Sequence, residues 1–138
     1  MKRIYLDSNV FISLFNQEIG KHTRGLFVEA ESFFEEVKKQ GCVLVLSKWF
    51  FREVVEFCFS SKEETLDFFN KAGIKTEVAD SAEKPQVEYL KENGLHYSDL
   101  LHAAVAIQQK CDCIVTFNLK DFKKLKEKIK VFEPASFT

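Results

Sequence analysis

The stretch Ile4-Tyr5-Leu6-Asp7-Ser8-Asn9-Val10 decides how the chain is read. Three apolar residues, too few for a helix, run into an acid and two small polar residues. That is the pattern of a short buried strand meeting a helix start. A strand covered on both faces reads as a continuous apolar run rather than an alternating one. The pattern returns at Cys42-Val43-Leu44-Val45-Leu46, at Cys113-Ile114-Val115 and at Lys130-Val131-Phe132, with a weaker alternating run over 74–79.

Helical signals lie between these runs. Leu26, Ala30, Phe33, Phe34 and Val37 recur at helical spacing across 22–40, and Gly41 closes that helix. Ser47 caps a helix carrying Trp49, Phe50, Phe51, Val54, Val55, Phe57, Cys58 and Phe59. It is apolar nearly all round, so burial on two sides or a place at an interface is expected. Ser61 caps another helix, with Leu66, Phe68, Phe69 and Ala72, stopped by Gly73. Residues 82–92 read as a short helix, 98–110 as a strong one and 119–127 as a short basic one. Residues 133–138 read as a tail. Strands separated by helices predict an α/β fold, a three-layer sandwich with a roughly five-stranded parallel sheet flanked by helices. One domain over 1–138 is expected, because a chain of this length buries a self-sufficient core and no linker or repeat interrupts it.

Composition narrows the function classes. Hydrophobic residues make up 46% and charged residues 30%, which excludes a disordered chain. Twenty Lys+Arg against 21 Asp+Glu leave a net charge of −1. Bulk positive charge therefore cannot hold nucleic acid, although a local basic rim can. Fifteen Phe exceed what one small core comfortably holds, which points to a self-association surface. No segment reaches the roughly 18 apolar residues of a membrane span, and the first residues are no signal peptide, so a cytoplasmic protein is expected. Cys42, Cys58, Cys111 and Cys113 sit in apolar contexts and read as buried small hydrophobes of a reducing compartment. The C-x-C at Cys111 and Cys113 is only weakly metal-like.

Open α/β sheets place ligands outside the carboxyl ends of their strands. Asp7 and Asn9 follow the first strand, and Glu53 lies in the helix after the second. Asp99 opens the helix before the fourth, and Thr116, Asn118 and Asp121 follow the fourth. Four carboxylates from four segments are thus expected to converge at one sheet edge. They cannot all ionise side by side without a counter-charge. Oxygen ligands suit Mg²⁺ or Mn²⁺, and the chemistry implied is hydrolysis at phosphorus. Each residue also has an ordinary reading: Asp7 as a helix cap, Asn9 as a turn residue, Glu53 as a surface acid beside Glu56, Asp99 and Asp121 as first-turn acids. His102 reads as a packed or capped histidine rather than a ligand.

Three blocks give the chain a family resemblance. Ile4-Tyr5-Leu6-Asp7-Ser8-Asn9-Val10-Phe11-Ile12, Tyr97-Ser98-Asp99-Leu100-Leu101-His102-Ala103-Ala104-Val105-Ala106 and Ile114-Val115-Thr116-Phe117-Asn118-Leu119-Lys120-Asp121-Phe122 resemble the acid blocks of the PIN domain family, VapC-like toxin ribonucleases in particular. Leu46-Ser47 followed by Arg52-Glu53-Val54 is a looser match to the second-acid helix. The resemblance implies a metal-dependent endoribonuclease with catalytic Asp7, Glu53, Asp99 and Asp121. Asp7, Asp99 and Asp121 would be the metal ligands, and Asn9, Thr116 and Asn118 would support the site. In the fourth block Asp121 is favoured over Asn118, which cannot carry charge. The family also implies an RNA substrate, a homodimer and a small antitoxin partner.

Arg52, Lys120 and Lys123 are the leading candidates for RNA contact, with Arg3, Lys48 and Lys124 behind them. Phe11, Phe15 and Phe117 lie near the predicted active edge, where core packing is their ordinary role. The alternatives are a catalytically inactive RNA-binding or dimerisation module of the same fold, and an aspartate-based phosphatase. The phosphatase reading is disfavoured because Asn9 stands where a second aspartate would be needed. The segment 61–93 matches nothing specific.

Overall fold

The computed structural model describes residues 2–16, 25–79, 97–125 and 128–137; the helix predicted over 82–92 lies outside them. The strands are β1 (Arg3–Leu6), β2 (Val43–Ser47), β3 (Lys75–Ala79), β4 (Cys113–Val115) and β5 (Lys130–Phe132). The helices are α1 (Ser8–Phe15), α2 (Leu26–Gln40), α3 (Lys48–Cys58), α4 (Lys62–Lys71), α5 (Tyr97–Gln108) and α6 (Leu119–Phe122). The strands pair in the order β3-β2-β1-β4-β5, all parallel. β1 therefore lies between β2 and β4, and the order reverses at β1–β4. In an open parallel sheet that reversal opens a crevice at the carboxyl ends of the two strands.

Alternate strand residues feed two cores. Ile4, Leu6, Leu44, Leu46, Cys113 and Val115 pack against α1, α2, α3 and α4. Tyr5, Val45, Ala79 and Ile114 face the other way, toward α5 and Phe122. The sheet is thus the middle of three layers. The buried alanines Ala103, Ala104 and Ala106 give α5 a slim face, which lets its axis approach the sheet.

The caps follow the sequence closely. Ser47 accepts the Phe50 N–H at 3.2 Å at the start of α3. Ser61 and Glu64 form a reciprocal capping box on α4. Gly41 closes α2 in the left-handed region at φ 67°.

Three expectations change. The basic helix predicted over 119–127 ends at Phe122 and tightens into a 3-10 turn over Lys123–Leu125. The predicted tail instead forms a 3-10 turn, Pro134–Ser136, that buries Phe137 edge-on against Phe33 at 5.4 Å. One aromatic ring supplies enough apolar surface to hold so short a segment down. Finally, α3 buries Phe50, Phe51, Val54 and Cys58, while Val55 and Phe57 stay exposed. It ends on Phe59, left-handed at φ 55° and almost fully exposed. Eight of the fifteen Phe are buried, and Phe15, Phe57, Phe59 and Phe68 are not.

The four cysteines are buried free thiols. Burial pushes Cys111 up to about 11 and Cys113 up to about 12, so both stay protonated. No helix among the described residues is long and apolar enough to cross a membrane.

Candidate active site

β1 delivers Asp7 to the crevice. The residue occupies the N-cap position of α1, but its side chain makes no capping bond. The buried carboxylate instead accepts a hydrogen bond from Thr116 Oγ1 at 2.7 Å. Thr116 follows β4, the neighbouring strand, so parallel pairing puts the hydroxyl beside the acid. The same oxygen accepts from Asn9 Nδ2 at 3.2 Å and from the Asn118 N–H at 3.0 Å. Asn9 Oδ1 in turn accepts the Phe117 N–H at 3.2 Å. With two donors bonded to its oxygen, the Thr116 hydroxyl has its proton directed at Asp7. A carboxylate held by a donor in this way keeps its orientation.

The opposite wall comes from α3 and α5. Asp99 opens α5 and is buried, and His102 sits one turn further on the same face. His102 Nε2 lies 2.5 Å from Glu53 Oε1 and 3.9 Å from Asp7 Oδ1. His102 Nδ1 is hydrogen-bonded to the Tyr5 hydroxyl, which is also 2.7 Å from Ser47 Oγ. A chain of polar contacts therefore runs from the α3 cap through the sheet to Glu53. Burial is the largest influence on His102 and pulls its pKa down. The Glu53 hydrogen bond and the negative charges of Asp7, Glu53 and Asp99 outweigh it, leaving a net upward shift. Burial keeps the Tyr5 hydroxyl protonated, well above its ordinary range.

Asp7, Glu53, Asp99, Asn9 and Asn118 line one cavity of about 280 Å³ at the β1–β4 crevice. Asp121 is exposed on α6, its N–H bonded to the Asn118 carbonyl at 3.0 Å, and is not part of that lining. Arg52 lines a second pocket between α3 and α5, and Lys120 and Lys123 line a separate groove beside β5. Asp7, Glu53 and His102 present ligand atoms all within 4.8 Å of one another. The donor set fits a divalent cation: three carboxylates from distant segments share one small cavity, and two of them are buried.

A PIN domain profile matches residues 4–128. The chain belongs to the PIN domain family. The PIN fold is also that of a chain in the crystal structure of VapBC2 from Rickettsia felis bound to a DNA fragment from their promoter. The two share 22% identity and a TM-score of 0.61, over 94% of this chain and 96% of that one. No curated protein matches the chain. In this PIN domain the first, third and fourth acid blocks all reach the crevice, through Asp7, Asp99 and Asn118 respectively.

Two site residues were missed in the sequence reading, and each had a signal. His102 stands three residues after Asp99, the spacing that stacks side chains on one helical face. Tyr5 brings a hydroxyl into the buried run Ile4–Leu6, and a buried phenol needs a partner.

Proposed function

We propose that this PIN domain is a metal-dependent endoribonuclease that hydrolyses RNA phosphodiester bonds, using Mg²⁺ or Mn²⁺, and that it serves as the toxin of a toxin–antitoxin pair. The observation that carries the reading is the gathering of Asp7, Glu53 and Asp99 around one cavity at the sheet reversal. When bound, a divalent cation supplies positive charge beside these acids and makes water a better nucleophile at neutral pH.

Asp7 and Asp99, both buried, are the residues that would hold the cation. Thr116 keeps Asp7 aimed at it. Glu53, with Oε1 engaged by His102, keeps its second carboxylate oxygen to accept the proton of the attacking water. Asp121 acts from the rim, outside the cavity lining, and Asn118 takes the inner position of the fourth block. Arg52, Lys120 and Lys123 offer positive charge to the RNA backbone. The exposed Val55 and Phe59 of the α3 end support a homodimer surface. The fold shared with a VapBC2 chain supports a small antitoxin as a further partner. A cytoplasmic location belongs to the same reading.

The test is cleavage of RNA by wild type and by Asp7→Asn, each with Mg²⁺, Mn²⁺ or chelator. Wild type is expected to cut only with metal, and the variant to lose at least about 100-fold. Metal should also raise the Tm of wild type and raise that of the variant less. A variant that cuts as fast, with unchanged metal dependence, overturns the reading. RNA binding with neither cleavage nor a metal-linked Tm gain would identify an inert binding module instead.

A further inference from the structure

The active cavity does not end at the acids. Beyond Glu53, Phe57, Ser98 and His102, which line both spaces, lies a second pocket of about 340 Å³ between α3 and α5. Its remaining walls are Trp49, Arg52, Glu56, Tyr97 and Leu101. We propose that this pocket seats a single unstacked nucleobase of the RNA, adjacent to the scissile phosphate. The proposal rests on the nuclease reading and adds to it a subsite for substrate recognition.

Four observations carry it. First, the pocket adjoins the catalytic cavity and shares four of its lining residues, so a strand with its phosphate at the acids can place a neighbouring base there. Second, the volume lies at the small end of ligand pockets, large enough for a base and too small for a helix. Third, the aromatic lining is in the wrong place for a core: Tyr97 is 71% exposed and Phe57 53% exposed, from different helices. Exposed rings on facing elements are stacking platforms for unpaired bases. Fourth, the pocket carries hydrogen-bonding and charged groups as well as rings. Glu56 can accept from an exocyclic amine, and Arg52 can stack or meet a phosphate. The Trp49 indole Nε1 is buried without an acceptor among the described residues. An acceptor brought in by a base edge would relieve it, and buried donors rarely lack one.

Trp49 is the only tryptophan in the chain, so its emission reports on this pocket alone. Asp7→Asn protein is titrated with a short oligoribonucleotide and with an abasic oligomer of equal length. The base-bearing oligomer is expected to change Trp49 emission and the abasic one to leave it unchanged. In the cleavage assay, Tyr97→Ala is expected to raise KM about fivefold or more with kcat within about twofold. Tyr97→Phe should restore the wild-type KM, because the ring rather than the hydroxyl does the stacking. The metal-linked Tm gain should be unchanged in both. Tyr97 and Phe57 are exposed, so these truncations leave the core intact.

Wild-type KM in both Tyr97→Ala and Phe57→Ala, or equal emission changes with the two oligomers, overturns the pocket and leaves the nuclease reading standing. A wild-type protein that cuts no RNA overturns the nuclease reading. The base subsite then falls with it only if Trp49 emission is also indifferent to the base.

Discussion

Asp7 and Glu53 reach the same cavity but are held there by different means. Asp7 is fixed by the Thr116 hydroxyl from the adjacent strand end, itself held by Asn9 and Asn118 just past the ends of β1 and β4. Glu53 hangs from α3 and is fixed by an imidazole on another helix, itself fixed by a phenol on the middle strand. The first arrangement needs only correct strand pairing. The second needs α3, α5 and β1 to pack at the right separations. The difference teaches where the site is preorganised by the sheet and where it depends on helix packing.

Substitutions can break or sharpen that comparison. The largest effect is expected at the acids themselves. Asp99→Asn should abolish metal-dependent cleavage, by about 100-fold or more, and remove most of the metal-linked Tm gain. Differential scanning fluorimetry with and without Mn²⁺ reads the Tm gain.

Next comes the strand-side holder. Thr116→Val removes the donor to Asp7 and the acceptor for Asn9 and Asn118, and should cost about 2–3 kcal/mol in chemical denaturation. It should also weaken metal binding, and Thr116→Ser should restore both. The helix-side holder is expected to matter less. Tyr5→Phe removes one hydroxyl from between Ser47 and His102, at about 1 kcal/mol, and should leave the metal-linked Tm gain at its wild-type size. If Tyr5→Phe weakened metal binding as much as Thr116→Val, the contrast between the two holders would be lost.

The smallest expected effect is on pH dependence. In metal-free protein the folded His102 has a pKa raised above its ordinary value of 6.5, since the surrounding carboxylates outweigh its burial. A raised pKa means the folded state binds the proton more tightly than the unfolded chain. That stabilisation is complete below about pH 6.5 and is lost as pH rises through the folded-state value. The Tm in chelator should therefore fall over that range, and His102→Gln should flatten the slope. A flat wild-type profile would mean that the ring is neutral throughout.

Much of this is legible in the sequence. Apolar runs marked the strands, and Ser47, Ser61 and Gly41 marked helix ends, because both signals are local in the chain. D-x-N after the first strand and T-x-N after the fourth were legible as one site for a similar reason. Parallel strands set side by side bring their carboxyl ends together whatever the helices do. The end of the chain was misread because a tail and a packed turn differ only in whether Phe137 finds Phe33. The short length of α6 was equally invisible, since basic residues propagate a helix or a 3-10 turn with little to choose between them.

Sequence alone determined the three-layer class and the strand edge at which Asp7, Glu53 and Asp99 gather. Only the tertiary structure decided that Asp121 stands outside the cavity while Asn118 lines it, that His102 bridges Tyr5 and Glu53, and that Tyr97 and Phe57 open a second pocket beside the acids. Periodicity and capping are set by neighbours a few residues apart, whereas the gap between two helices is set by the side chains packed between them and the sheet, and no local pattern encodes that distance.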